Sequence, residues 1–186
     1  MRVRVLWIVV LLVLSTLPAL AAPEESSVEP TPNPVIADGL IVAGQRIGAV
    51  RLAMTLEQII HLLGRGYKVE EFKTEKIILY EWRSQGFWVS LDVGTKAGRV
   101  ISVFAPNGAY HTDKGVALLS LWPKAEAAHG KDYKRWEFRE EKTILIRYPM
   151  GLQFGVVNDP SQGLIHSRIF QIGIFKPGDL PPARQP

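Results

Sequence analysis

Two short groups of residues have the side-chain types needed for metal binding or acid–base chemistry. Glu57 and His61 stand four positions apart, a spacing that places both on one helix face, where they could hold a metal ion. His111 and Asp113 could form an acid–base pair, but such a pair needs a third orienting group and a pocket. The sequence therefore favours an exposed Glu57–His61 ion pair and a capping or turn segment at residues 111–113.

The motifs of known catalytic and cofactor sites do not occur in this sequence. It has no G-x-S-x-G, H-E-x-x-H, Walker or G-x-G-x-x-G pattern. It also contains 0 cysteines, which excludes disulfides, cysteine zinc sites, a cysteine nucleophile and a lipidated cysteine. We therefore expect no enzyme activity, no catalytic residues, no metal and no cofactor.

A mixed group of aromatic, charged and polar residues is the better candidate for a functional surface. Strand alternation assigns Trp88, Glu81, Arg147 and Gln153 to one face of a sheet. The opposite face is apolar, includes Trp82, and is expected to pack against the helices. Surfaces that combine apolar and charged side chains around an aromatic residue are common at protein interfaces. The four residues are the predicted partner-binding residues. The alternative is that Trp88 only covers nearby leucines on a solvated sheet.

The strands that position these residues belong to two similar parts of the chain. Residues 67–82 align with residues 133–148 at an offset of 66, and eight of the sixteen positions are identical. The offset also pairs Gly64 with Gly130. This agreement predicts an internal duplication, with repeat 1 at residues 40–108 and repeat 2 at residues 109–176.

Each repeat has the same predicted order of elements. A helix runs from a cap at Thr55 to Gly64 in the first repeat, and the second helix has Pro123 in its first turn and ends at Gly130. Three strands follow in each repeat, because alternating runs are separated by short glycine-containing turns. We therefore predict an α+β fold of two tandem repeats, each a helical segment followed by an antiparallel sheet. The predicted strands are residues 76–83, 87–93 and 99–105, and then 142–148, 152–157 and 164–175.

One segment of the first repeat resembles a known family. Residues 52–59, LAMTLEQI, followed by Leu62, Leu63 and Gly64, are similar to the G-M-T-x-x-Q-V … L-G signature of the SmpA/OmlA outer-membrane-assembly lipoproteins. Two tandem copies of a helical segment and an antiparallel sheet resemble the β-lactamase inhibitory protein architecture. The resemblance implies a fold rather than a function, because one fold can carry many functions.

The two ends of the chain have the composition of targeting and linker segments. Arg2 and Arg4 precede a short apolar run and an A-L-A site, which predicts a signal peptide over residues 1–21. The alternative is an uncleaved N-terminal anchor. Residues 22–39 are predicted to be a proline-rich linker, and residues 177–186 a disordered tail.

The charge balance narrows the class of partner. The chain has 22 Lys+Arg and 18 Asp+Glu, and loss of Arg2 and Arg4 with the signal peptide leaves 20 basic residues and a net charge of +2. This near-neutral balance argues against a nucleic-acid-binding protein.

These observations predict a periplasmic or secreted, non-enzymatic interaction module of a bacterial-type cell envelope, without a lipid anchor. We expect it to bind another protein through the helix-free sheet face. Two alternatives are a hydrolase-like secreted enzyme that uses His111 or Asp113, and an envelope-assembly scaffold anchored by an uncleaved signal.

Overall fold

The computed structural model describes residues 38–74, 76–104 and 109–179. The predicted signal peptide, almost all of the predicted linker and the last residues of the predicted tail lie outside the described residues. In chain order the elements are β1 (Leu40–Val42), β2 (Arg46–Ile47), β3 (Val50–Arg51), α1 (Leu56–Leu63), β4 (Lys68–Phe72), β5 (Ile77–Trp82), β6 (Phe87–Asp92), β7 (Gly98–Phe104), β8 (His111–Thr112), α2 (Trp122–His129), β9 (Lys134–Phe138), β10 (Thr143–Tyr148), β11 (Leu152–Val157) and β12 (Ile169–Phe175).

The described strands form two sheets. The larger sheet has eight strands in the order β4-β5-β6-β7-β12-β11-β10-β9, and all of its neighbouring strands are antiparallel. Its two four-stranded halves meet where residues 100–104 of β7 pair with residues 171–175 of β12. The smaller sheet has the order β3-β2-β1-β8, and β1 and β8 are parallel.

The predicted fold class is wrong. The described chain is mostly β, and its two α-helices have only 8 residues each, so it is not built of helix-then-sheet repeats. Two physical facts account for the difference. The halves share one continuous sheet through the β7–β12 pairing, and residues 40–51 form strands that are too short to give a periodic signal. The duplication itself stays a prediction from the sequence.

The first helix and the strand turns follow their local sequence signals. Thr55 caps α1 by accepting from the Gln58 backbone N–H, and the Gln58 side chain bonds back to the Thr55 backbone, which forms a capping box. Gly64 and Gly130 end the two helices as predicted. The last predicted strand is shorter than expected, because residues 160–165 form a 3-10 segment that precedes β12.

The core lies between one face of the large sheet and the layer made by the small sheet and the helices. Ile59 and Leu63 of α1 belong to one buried cluster with Trp82 and Phe154 of the large sheet and Ile47 of the small one. The predicted apolar face is therefore confirmed as the core face. Hydrophobic burial of this kind is the main force that stabilises the fold.

Two aromatic side chains of the core also bond the ends of the helices. The Trp82 Nε1–H donates to the Gly64 carbonyl at 2.8 Å, and the Tyr148 hydroxyl donates to the Gly130 carbonyl at 3.0 Å. Carbonyls at a helix C-terminus have no partner inside the helix. These bonds satisfy them and fix each helix against the sheet.

Candidate functional site

The face of the large sheet opposite the core forms a cavity of about 580 Å³. All eight strands contribute lining residues, including Phe72 of edge strand β4 and Phe138 of the other edge strand, β9. Since both edges of one sheet line the same cavity, the sheet curves around it. The helix-free face is therefore concave, and its volume lies in the range of small-ligand sites.

The structure brings all four predicted partner-binding residues into this cavity. Trp88, Glu81, Arg147 and Gln153 all belong to its lining. Glu81 and Trp88 face each other across β5 and β6, and Arg147 and Gln153 face each other across β10 and β11. The shared face of these residues could be predicted from strand alternation, because the side chains on the other side of each strand pack into the core.

The predicted residues differ in their exposure, which the sequence did not indicate. Trp88 is half-buried and stacks on Phe104 with ring centroids 4.3 Å apart. Arg147 and Gln153 are only 5% and 3% exposed. They therefore lie at the bottom of the cavity, whereas the sequence predicted a partner-contacting surface and gave no depth for its residues.

A buried polar chain of three residues connects the two halves of the sheet. The Arg147 Nε–H donates to Gln153 Oε1 at 2.9 Å, and Gln153 Nε2 donates to the Ser102 hydroxyl at 3.4 Å. Gly173 makes room for this chain, since a Cβ there would lie 2.7 Å from Gln153 Nε2. Buried polar side chains need such partners, because an unsatisfied buried donor or acceptor is costly.

The Arg147 guanidinium lies close to two aromatic rings. Its Cζ lies 5.6 Å from the centroid of Trp136 and 5.7 Å from that of Phe175, which are cation–π distances. Burial lowers the pKa of Arg147 to about 10, the charge of Arg99 contributes in the same direction, and Asp179 opposes both. Arg147 therefore remains a cation at neutral pH.

The remaining charges of the lining lie in the other four-stranded half of the sheet, on β4 and β5. They are Lys68, Glu70 and Glu81. Glu81 forms an ion pair with Arg83 at 3.2 Å and faces Lys68 across the strand pair. The acidic side chains of the lining thus belong to strands that are not neighbours of the Arg147 strand, β10.

Apolar side chains form most of the rest of the cavity wall. Leu79, Trp88, Leu145 and Val100 line it together with Phe72 and Phe138. Phe72 and Phe138 are half-buried on this side of the sheet. They therefore do not belong to the helix-side core, and their expected contribution to stability is smaller than that of a buried core phenylalanine.

Ser102 and Phe170 are among the lining residues that sequence reasoning missed. Ser102 follows the alternation of β7, but a single serine among apolar residues gives no distinct signal. Phe170 lies next to a register shift between Gly155 and Val156, and a Cβ at Gly155 would be 2.8 Å from its ring. Such an irregularity of pairing cannot be inferred from alternation.

The candidate metal and acid–base residues lie elsewhere. Glu57 and His61 are exposed on α1, and these two described side chains do not form the ion pair expected between them. His111 is the first residue of β8 and Asp113 lies in the turn after it, so the segment expected to be a cap or turn is partly a strand. Both residues are exposed and do not line the cavity. Across residues 38–74, 76–104 and 109–179, no three His, Asp or Glu side chains are close enough to hold a metal ion.

One histidine, His129, is placed against the core. Its ring lies 5.8 Å from the Tyr148 ring and 5.7 Å from the Phe154 ring, and Nε2 is 3.3 Å from the Thr112 hydroxyl. Its buried Nδ1 has no hydrogen-bond partner among the described residues. Burial lowers the pKa of His129, the charge of Lys114 lowers it further, and Asp113 opposes the shift.

We expect the free energy of unfolding to decrease as the pH falls below 6.5, the ordinary pKa of histidine. The unfolded chain takes up a proton on His129 that the folded chain disfavours, so the contribution of the neutral ring is present above this pH and is lost as the pH falls toward the lowered pKa. Urea unfolding at about pH 7.5 and about pH 5.5 brackets this window. His129→Leu should make the dependence smaller.

The carboxylates of Asp38 and Asp159 do not contribute to the change in unfolding free energy between about pH 7.5 and about pH 5.5. The pKa of Asp38 is held at about 2, mainly by its hydrogen bond with Arg46, and that of Asp159 at about 2, mainly by Ser161 and then Lys142. Both lose their stabilising effect only below the ordinary value of 3.8. An unchanged pH dependence in His129→Leu would contradict the assignment to His129.

The described helices are all too short or too polar to cross a membrane. No family model, curated protein or solved structure matches this chain.

Proposed function

We propose that this protein is an exported, non-enzymatic binding module of a bacterial-type cell envelope, and that its partner binds in the concave face of the eight-stranded sheet. The basic start, short apolar run and A-L-A site of residues 1–21 support export to a periplasmic or extracellular location. The near-neutral charge of the exported chain supports a partner other than nucleic acid.

The observation that carries the proposal is the cavity itself. It combines a largely apolar wall with a few polar groups at its bottom, the composition typical of binding sites. A site that presents Trp88 and Arg147 also offers the side-chain types that contribute most often to binding energy. A hydrolase-like activity finds less support, because His111 and Asp113 are exposed outside the cavity.

The experiment that tests this role measures partner binding with and without Trp88. The chain from residue 22 onward is used to capture a partner from envelope extracts, and Trp88→Ala is then compared with the unmodified chain. We expect the affinity to fall by about 30-fold or more, equivalent to about 2 kcal/mol. The melting temperature should change little, because Trp88 is half-buried on the side away from the core.

Leu164→Ala is the matched control. Leu164 is an apolar side chain that is 86% exposed and lies outside the cavity, so its removal should leave the affinity unchanged. If Trp88→Ala instead lowers stability and leaves binding unchanged, Trp88 is a packing residue and the concave face is not the binding site.

A further inference from the structure

The chemistry of a ligand can be inferred from the two unlike parts of the cavity lining. The walls are apolar and aromatic, and include Phe72, Leu79, Trp88 and Leu145. The bottom carries the buried Arg147, Gln153 and Ser102. A ligand that matches both parts must have an apolar body and one polar end.

The sign of that polar end follows from the charges around Arg147. The lining residues contributed by β7, β10, β11 and β12 include Arg147 and no Asp or Glu. The two acidic residues of the described lining, Glu70 and Glu81, are on β4 and β5, and Glu81 is already paired with Arg83 at 3.2 Å. Outside the lining, the charges that act on Arg147 are those of Arg99 and Asp179, which pair with each other at 3.8 Å. Among the described residues, the bottom of the cavity therefore carries a positive charge, which favours a negative group.

The hydrogen bonds among Arg147, Gln153 and Ser102 orient the donor groups of Arg147 and Ser102. Gln153 turns its oxygen toward Arg147 Nε and its amide nitrogen toward Ser102, so the Ser102 oxygen accepts and its own hydrogen remains for another acceptor. The guanidinium and this hydroxyl are both donors. A carboxylate is an acceptor with two oxygens, and its pairing with guanidinium is among the strongest in proteins.

We propose that the cavity binds a single-chain amphiphile with one carboxylate, with the carboxylate at Arg147 and Ser102 and the apolar chain along Leu79, Trp88 and Leu145. This inference rests on the proposed binding role of the concave face. The charge complementarity at Arg147 and the 5% exposure of this residue favour such a ligand over a broad protein surface, since only a narrow group that enters the cavity can reach the guanidinium.

The test uses the full chain and three probes that share one tail and differ in the head group: decanoate, 1-decanol and decyltrimethylammonium. Isothermal titration calorimetry gives the dissociation constant of each. We expect decanoate to bind about tenfold or more tightly than 1-decanol, because hydrogen bonds to a charged group are the stronger ones. The cationic probe should bind more weakly than 1-decanol.

Two variants locate the head group. Arg147→Met keeps an unbranched side chain and removes the charge, so it should weaken decanoate binding about tenfold or more and leave 1-decanol binding unchanged. Arg135→Met is the matched control, because the Arg135 side chain is 51% exposed and Arg135 does not line the cavity. It should leave all three dissociation constants unchanged.

A third variant locates the tail and does not depend on Arg147. Ser90→Trp places a large side chain in the cavity at a half-buried lining position, and it should abolish binding of decanoate and 1-decanol together. If Arg147→Met does not fold, the order of the three probes on the unmodified chain and the effect of Ser90→Trp decide the proposal.

Three results would overturn the proposal of a carboxylate amphiphile. They are decanoate binding no tighter than 1-decanol binding, no binding of decanoate at all, and binding that Ser90→Trp leaves intact. If 1-decanol binds in the cavity and decanoate gains nothing, the ligand class is wrong while the binding role of the face stands. The binding role of the concave face is tested by a different result: it is contradicted if partner capture does not depend on Trp88.

Discussion

Replacing Trp82 with alanine is expected to lower the free energy of unfolding by about 3–5 kcal/mol, the range for loss of a fully buried large aromatic side chain. Trp82 is 0% exposed and packs with Tyr67 and Tyr80 at centroid distances of 5.1 and 5.9 Å. Its Nε1–H also bonds the end of α1 through the Gly64 carbonyl. The variant therefore loses both packing and a helix-end hydrogen bond.

Trp88→Ala is the natural control for this variant, because it removes the same side chain from the opposite face of the sheet. Equilibrium unfolding in urea of both variants and the unmodified chain gives the comparison. Trp88 is half-buried at the cavity, so its replacement by alanine should lower the free energy of unfolding clearly less than that of Trp82. Equal losses in the two variants would mean that the assignment of core and cavity faces is incorrect.

The second large effect is expected at Gly151, where three parts of the chain meet. Gly151 has a φ of 86°, and its carbonyl accepts from the backbone N–H groups of Gly44 and Phe175, each at 3.1 Å. A Cβ at this position would collide with the Phe175 carbonyl oxygen and lie 2.8 Å from Gly44 Cα. Neither atom belongs to a flexible side chain, so the backbone would have to move.

We therefore expect Gly151→Ala to lower the free energy of unfolding by about 2–6 kcal/mol. About 1–3 kcal/mol comes from the positive φ and about 1–3 kcal/mol from the collision. Gly130→Ala separates the two contributions, because Gly130 has a φ of 84° and a Cβ there meets no atom within 4 Å. Denaturant unfolding of both variants measures the difference, and equal losses would show that the collision is relieved without cost.

The parts of the fold that could be predicted from the sequence depend on local patterns. Alternation along β5 and β10 assigned Trp82 to the core and Glu81 and Arg147 to the other face, because side chains on a strand point alternately to its two sides. The start and end of α1 followed from Thr55 and Gly64 in the same way. These signals lie within a few residues of each other.

The parts that could not be predicted depend on contacts between distant segments. The pairing of β7 with β12 joins residues about seventy positions apart and turns two expected sheets into one. Arg147 is buried beside Trp136 and beside Phe175 of β12, although its strand position is equivalent to that of the partly exposed Glu81. Alternation gives the face of a residue but not its depth.

The order of the strands leaves β4 and β9 at the two ends of the large sheet, and their sequences, KVEEF and KRWEF, are rich in charge. An end strand offers unpaired N–H and C=O groups to any other strand, so an apolar one would invite copies to stack into fibrils. Lys68, Glu70 and Glu71 on one end, and Lys134 and Glu137 on the other, are exposed. Adding a strand from another copy would require these charged side chains to lose water, which opposes aggregation of a protein whose described core is built mainly of strands.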